Sequence, residues 1–238
     1  MNMREFVRMP VWYPVLGAYS FPTVFINLSP DEIKALHRSE TQGSVVIGVI
    51  SRLKQVMSTV PGHCFLSVDE CSPTDTERFA TKRGAVYSPE SAWNVLIQSQ
   101  KIKTQIDEGK VTAICVKPYR NMTRAREFRL FIQCGELKAM SQYWLTRHYR
   151  RLEGVKHNFW NMAQKFVHAI AWSLPYDSLV MDIYFTGDNE IMVLDINPWG
   201  EPTNPLLLRT WVRDWSQPEG IFLMPPPLKI SGNVNVSF

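Results

Sequence analysis

The chain has few cysteines, no glycine-rich loop, no long apolar run and no large excess of either charge, and each shortage closes off a class of function. Its 4 cysteines, at positions 64, 71, 115 and 134, form no Cys-x-x-Cys pair, and no histidine lies at zinc-ligand spacing. Neither a zinc knuckle nor a disulfide framework is indicated, and a reducing, cytoplasmic setting is expected. No window reaches the roughly 18 consecutive apolar residues of a membrane-spanning helix, so no membrane partner is expected. Pro10, Pro14 and Pro22 break the apolar stretch near the start, so it lacks the continuous apolar core of a signal peptide and none is expected there. With 26 basic against 22 acidic residues the formal charge is +4, too small an excess to call for nucleic acid without a local cluster. Lack of a Walker-type glycine loop excludes a P-loop nucleotide site.

What is present is the material of a folded core. Of 238 residues, 45% are apolar and 20% charged, with 8 Trp and 12 Phe, enough for one large or two small domains. Val24 to Leu28 reads as a short strand, and Ser29-Pro30-Asp31-Glu32 then supplies an N-cap, a proline at the first helical position and acids in the first turn. That spacing predicts a helix to about Glu40. Ser44 to Leu53 fits a buried strand or an apolar helix equally well. Ser88-Pro89-Glu90-Ser91 starts a second helix that should run to about Glu108. Strands are expected at 112–117, 126–133, 137–143, 179–185 and 191–197, with a helix from about Asn158 to Trp172 between them. The short, turn-rich joins at 133–136 and 186–190 call for antiparallel hairpins, and the sum is an α+β sheet with helices on one face.

Alternation within the last hairpin points to chemistry, because every second side chain of a strand shares a face. Asp182 lies among Leu179, Val180, Met181 and Ile183, and Asp195 among Val193, Leu194 and Ile196, with Asn197 two residues on. Buried carboxylates are costly unless paired or bound to metal. An acid, an acid and an amide on neighbouring strands give an all-oxygen set suited to Mg2+ held together with phosphates. The alternative, of about equal weight from alternation alone, makes them strand-end acids that cap turns or pair with arginine. Glu127 and Arg129, on one face of the strand around Phe128 and Phe131, and Lys117 at the end of Ala113–Lys117 add groups for phosphate oxygens.

Glu127-Phe128-Arg129, Ser141-Gln142-Tyr143, Met181-Asp182-Ile183-Tyr184 and the run Leu194-Asp195-Ile196-Asn197-Pro198-Trp199-Gly200-Glu201-Pro202-Thr203 resemble, in order and spacing, the motifs of the cell division cycle protein 123 (D123) family. The resemblance covers roughly residues 65 to 211. It implies an ATP-grasp-like α+β fold with two lobes: 1–110 as N-terminal lobe, 111–223 as C-terminal lobe with the metal site, and 224–238 as a tail. By position, Asp182, Asp195 and Asn197 would ligate Mg2+, while Lys117, Glu127 and Arg129 would line the ATP cleft, with Asp75 on the other lobe's side. Thr74 and Cys115 stand where the family usually carries Lys and Arg.

An ATP-dependent ligase joining a carboxylate to an amine through an acyl phosphate is then the first expectation, with an unknown protein, peptide or small-molecule acceptor. A chaperone that assembles the gamma subunit of translation initiation factor 2, a translation GTPase subunit, is the second. A nucleotide-binding remnant without turnover is the third. Thr146 to Arg151 is expected as a solvated charged loop rather than an acceptor site. His168 is expected to be packed in its helix, and Trp160, Phe166 and Trp172 to be core.

Overall fold

The computed structural model describes residues 2–227, so residues 228–238 of the expected tail lie outside the described residues. Two short helices come first, α1 (Met3–Phe6) and α2 (Met9–Leu16), followed by β1 (Val24–Asn27), α3 (Pro30–His37) and α4 (Ser44–Thr59). Then come β2 (Cys64–Val68), α5 (Glu77–Lys82), α6 (Pro89–Gln98), α7 (Gln100–Asp107) and β3 (Ala113–Pro118). The remainder is β4 (Glu127–Gln133), β5 (Glu136–Gln142), α8 (Arg150–Ile170), β6 (Leu179–Phe185), β7 (Ile191–Pro198) and β8 (Gly220–Phe222).

The helix starts follow the sequence grammar. Ser29 accepts from the Glu32 N–H while Glu32 reaches back to the Ser29 N–H, and Ser88 pairs with Ser91 in the same way. The ambiguous segment resolves as a helix, α4, because Val46, Val49 and Leu53 recur at helical spacing against the core while Ile47 points outwards. The single helix expected over 88–108 is broken at Ser99, whose extended backbone ends α6 and caps α7.

Two sheets form. The first has the order β1-β3-β2, antiparallel throughout, and carries α3, α4, α6 and α7 on one face over a core that includes Trp93, Leu96, Ile114 and Val116. The second has the order β7-β6-β4-β5-β8, antiparallel except for β8 beside β5. One face of it is covered by α8, with Phe159 stacked on Phe185 at 4.2 Å. The expected division at 110/111 is therefore displaced: β3, assigned by sequence to the second lobe, is the middle strand of the first sheet. Composition does not say which sheet β3 joins, since it is as apolar as the strands of the second sheet.

The opening helices also cross the division. Phe6, Met9, Trp12 and Leu16 are buried with residues of the second sheet, and the Tyr13 ring meets Phe25 of β1 edge-on at 5.3 Å. They fill the space between the two sheets at one end. Two aromatic and histidine expectations fail: Trp172 is 86% exposed, and His168 is on the solvent side of α8. The buried stripe of α8 is Leu152, Phe159, Ala163, Val167 and Ile170, and neither residue lies on it. Arg150 and Arg151, expected in the charged loop, form the first turn of α8 and are solvent-exposed.

Candidate functional site

Register builds the site. In the second sheet Arg129 of β4 lies opposite Asp182 of β6, which in turn lies opposite Asp195 of β7, so three charged residues stand in one row across three strands. A bulge at Leu194 follows this row: Asp182 pairs with Asp195, but Ile183 pairs with Val193. The bulge changes the phase of β7. Ile191, Val193 and Ile196 face the α8 side, and Asp195 and Asn197 face the other, although strict alternation would place 191, 193, 195 and 197 together.

Around this row the polar contacts are dense. Arg129 Nε donates to Asp182 Oδ1 and Nη2 to Oδ2, both at 2.7 Å, and both residues are buried, at 7% and 5% exposure. Asn197 Nδ2 donates to the same Oδ2 at 3.3 Å. Arg129 Nη1 reaches the Asn204 carbonyl at 2.8 Å, and the Tyr143 ring lies 5.4 Å from the guanidinium carbon. Burial works against the charge on Arg129, but the Asp182 carboxylate outweighs it and raises the guanidinium's pKa. Burial, with the Asp182 charge behind it, pushes the Tyr143 hydroxyl up to about 12.

Asp195 is the most perturbed acid. Burial and the neighbouring Asp182 charge push its carboxyl up to about 8, against the pull of Lys117 and of an Ile196 N–H bond to Oδ1 at 3.0 Å. It nevertheless keeps some solvent-accessible surface. Lys117 comes from the first sheet, on the face of β3 that carries Cys115 and looks towards the second lobe. Burial lowers its ammonium pKa, and Asp195 and Cys115 oppose that shift. Glu127 is buried on β4; burial raises its pKa, while the Trp144 indole N–H lies beside it and pulls the other way without completing a hydrogen bond.

The structure thus brings together Lys117, Glu127, Arg129, Asp182, Asp195 and Asn197. Asp75 does something else. Its Oδ1 accepts from Ser99 Oγ at 2.6 Å, and Oδ2 accepts from the Gln100 and Lys101 N–H groups at 2.8 and 3.1 Å, so both oxygens cap α7. The position of Thr74 is not without a cation, because Lys101 Nζ donates to its hydroxyl at 2.7 Å. Cys115 is packed in the core, where burial pushes its thiol up to about 12. Sequence reasoning missed the Tyr143 ring, the Asn204 carbonyl and Trp144 as parts of the site. Tyr143 and Trp144 follow directly on β5; Tyr143 closed one of the family motifs but was given no role, and Trp144 carried no signal beyond its nearness to it.

The loop after β7 closes over the same face of the sheet. Thr203 Oγ1 donates to the Pro198 carbonyl at 2.7 Å, Trp211 Nε1 to the Thr203 carbonyl at 2.7 Å, and Trp199, Trp211 and Trp215 pack on Phe131 and Val180. Among the described residues no cluster of three or more His, Cys, Asp or Glu could hold a metal by itself. Two carboxylates and an amide still fit a hard cation that brings further oxygens with it, with Lys117 and Arg129 as cations for those oxygens.

Residues 89–213, slightly more than half of the sequence, match the D123 family. The chain belongs to that family. The translation initiation factor eIF2 assembly protein of Kluyveromyces lactis is 32% identical over 96 residues, 40% of this chain and 26% of that protein. The Xenopus laevis protein of the same name is 34% identical over 86 residues, 36% and 25% of the two chains. This D123 protein therefore matches only about a quarter of the length of these relatives. A putative CDC123-like protein of Acanthamoeba polyphaga mimivirus is 25% identical over 223 residues, 86% of this chain and 68% of the viral one. In three dimensions the chain is similar to Cdc123 of Schizosaccharomyces pombe in its C-terminally truncated form, with a TM-score of 0.79 at 17% identity, covering 94% of this chain and 97% of the other. The fold is thus the α+β architecture seen in that Cdc123 structure. Among the described residues, no helix is long and apolar enough to cross a membrane.

Proposed function

We propose that this D123 protein binds ATP with Mg2+ between its two lobes and acts as an assembly factor for a translation initiation factor, its partner being the gamma subunit of factor 2. The observation that carries the nucleotide half is the row Arg129, Asp182 and Asp195 on three adjacent strands, faced by Lys117 from the other sheet. Asp182, Asp195 and Asn197 would hold the ion, which supplies charge neutralisation at the phosphates. Arg129 and Lys117 would bind phosphate oxygens and fix the nucleotide's position, and Glu127 would line the cleft beside them. The assembly half is supported by the relatives, which are translation initiation factor eIF2 assembly proteins. This order reverses the expectation from sequence, which placed the ligase first.

Calorimetry with Mg2+ and a non-hydrolysable ATP analogue tests the first half: Asp195→Ala should weaken binding at least about tenfold, or 1.4 kcal/mol. Equal affinity in parent and variant removes the metal assignment. Capture of a purified gamma subunit, dependent on nucleotide and lost in Asp195→Ala, tests the second half. Release of ADP in the presence of an amine and a carboxylate acceptor, without gamma-subunit capture, would restore the ligase reading. Nucleotide binding with neither result would leave the remnant.

A further inference from the structure

The carboxylate of Asp182 is already occupied. Both of its oxygens accept from one guanidinium, at 2.7 Å each, and Asn197 adds an N–H at 3.3 Å to Oδ2. Asn197 thus turns its amide nitrogen, not its carbonyl, towards the carboxylate. Asp195 Oδ1 is engaged by the Ile196 N–H. A dication approaching this row would meet two carboxylates, one of them bonded on both oxygens, together with the like charges of Arg129 and Lys117. Formal charge among these four groups is balanced, two against two, and Glu127 of the same site adds one further acid, so a bare dication that wants about six oxygens gains little here while Arg129 holds Asp182.

A polyphosphate chain changes both terms. It brings several negative charges and its own oxygens for the ion. It also presents the guanidinium with a planar pair of oxygens equivalent to those of Asp182, so Arg129 can exchange one bidentate partner for another without losing hydrogen bonds. The Asn204 carbonyl, at 2.8 Å from Nη1, and the Tyr143 ring at 5.4 Å hold the guanidinium in place from the side away from Asp182.

We infer that Arg129 sets the ligand specificity of this site: as the counter-ion of Asp182 it bars a free divalent cation, and it releases the carboxylate only to a metal carried on a polyphosphate. This inference rests on the nucleotide reading above and adds to it an obligatory coupling between metal and phosphate.

Mn2+ titrated alone and as its complex with a non-hydrolysable ATP analogue, followed by electron paramagnetic resonance, tests it in the parent and in Arg129→Gln. The variant should bind free Mn2+ about tenfold or more tightly than the parent, the scale on which a neighbouring charge shifts ion equilibria. For the nucleotide complex the order should reverse, with the variant weaker. Equal affinity of both proteins for free Mn2+, with the complex still bound, overturns the inference and leaves the nucleotide reading standing. Failure of the parent to bind the complex overturns both. If Arg129→Gln does not fold, the parent decides alone: its Arg129 Nε–H resonance should move on adding the magnesium–analogue complex and stay in place with Mg2+ alone. Movement with Mg2+ alone overturns the inference.

Discussion

At the scale of single residues, the same side chain type does opposite things in this molecule, and its partners decide which. Asp75 and Asp195 were both candidates for the nucleotide site. Burial pulls the Asp75 carboxyl up, but the Ser99 hydroxyl and the Lys101 and Gln100 N–H groups outweigh it and hold its pKa below 3.8. A folded-state pKa below the unfolded one means that the unfolded chain binds more protons in that window. The stability Asp75 contributes is therefore complete above about pH 4 and lost as pH falls through its depressed value. Asp75→Ala should cost about 0.5–2 kcal/mol at pH 7, the range for a lost helix cap. Urea unfolding of parent and variant from pH 7 to pH 3 should show that difference narrowing below pH 4; a constant difference would mean that the carboxylate is not what stabilises α7. The site itself was well marked in the sequence, because an acid inside an apolar strand is conspicuous. The competing expectation, that such an acid pairs with arginine, was equally visible, and it holds for Asp182, which is bonded to Arg129. What could not be read was the cross-strand row, which depends on the register of strands more than 50 residues apart, and the re-phasing of β7 by one extra residue at Leu194.

At the scale of elements, hairpins and helix starts were legible because their signals are local, and the failures occurred where tertiary contacts chose. Ser99 breaks a continuous helical stripe because Asp75, 24 residues earlier, is there to cap the second piece. The helix α8 begins eight residues before its expected start at Asn158, at a Tyr149 that makes no side-chain cap, and is held by packing rather than by a terminal motif. Its centre is Phe159, stacked on Phe185 and edge-on to Phe128 at 5.7 Å. Phe159→Ala should cost about 3–5 kcal/mol in denaturant unfolding, the range for emptying an aromatic core position. Trp172→Ala, just beyond the end of the same helix and exposed, should change stability by less than about 0.5 kcal/mol. Comparable losses at both positions would show that α8 is not anchored through its aromatic stripe.

At the scale of the whole molecule, the two sheets are tied by one buried carboxylate that no sequence pattern marked. Asp69 follows β2 and is 1% exposed. Its Oδ1 accepts from the Thr112 and Ala113 N–H groups at 2.8 and 2.7 Å, and its Oδ2 from Thr112 Oγ1 at 2.6 Å, all within the first lobe. The same Oδ2 accepts from Arg8 Nε at 3.0 Å, and the Asp69 carbonyl accepts from the Met9 N–H at 2.8 Å, at the start of α2, which is packed on the second sheet. Removing one partner of a buried, hydrogen-bonded ion pair costs about 3–5 kcal/mol because the other charge is left unpaired. For a chain of this size that is a drop of roughly 10 °C in melting temperature. The loss should not fall evenly, because Arg8 and Met9 would still be held to the second sheet by Phe6, Trp12 and Leu16. Scanning calorimetry of Asp69→Ala should therefore show the single transition of the parent divided into two, the first lobe melting earlier. A ligand bound to Lys117 and Asp195 at once would rejoin the lobes, and at about a hundred times its Kd it restores about 2.7 kcal/mol. Adding the magnesium–analogue complex should then merge the two transitions again, whereas a variant that melts as one unit at the parent's temperature would show that Asp69 does not couple the lobes.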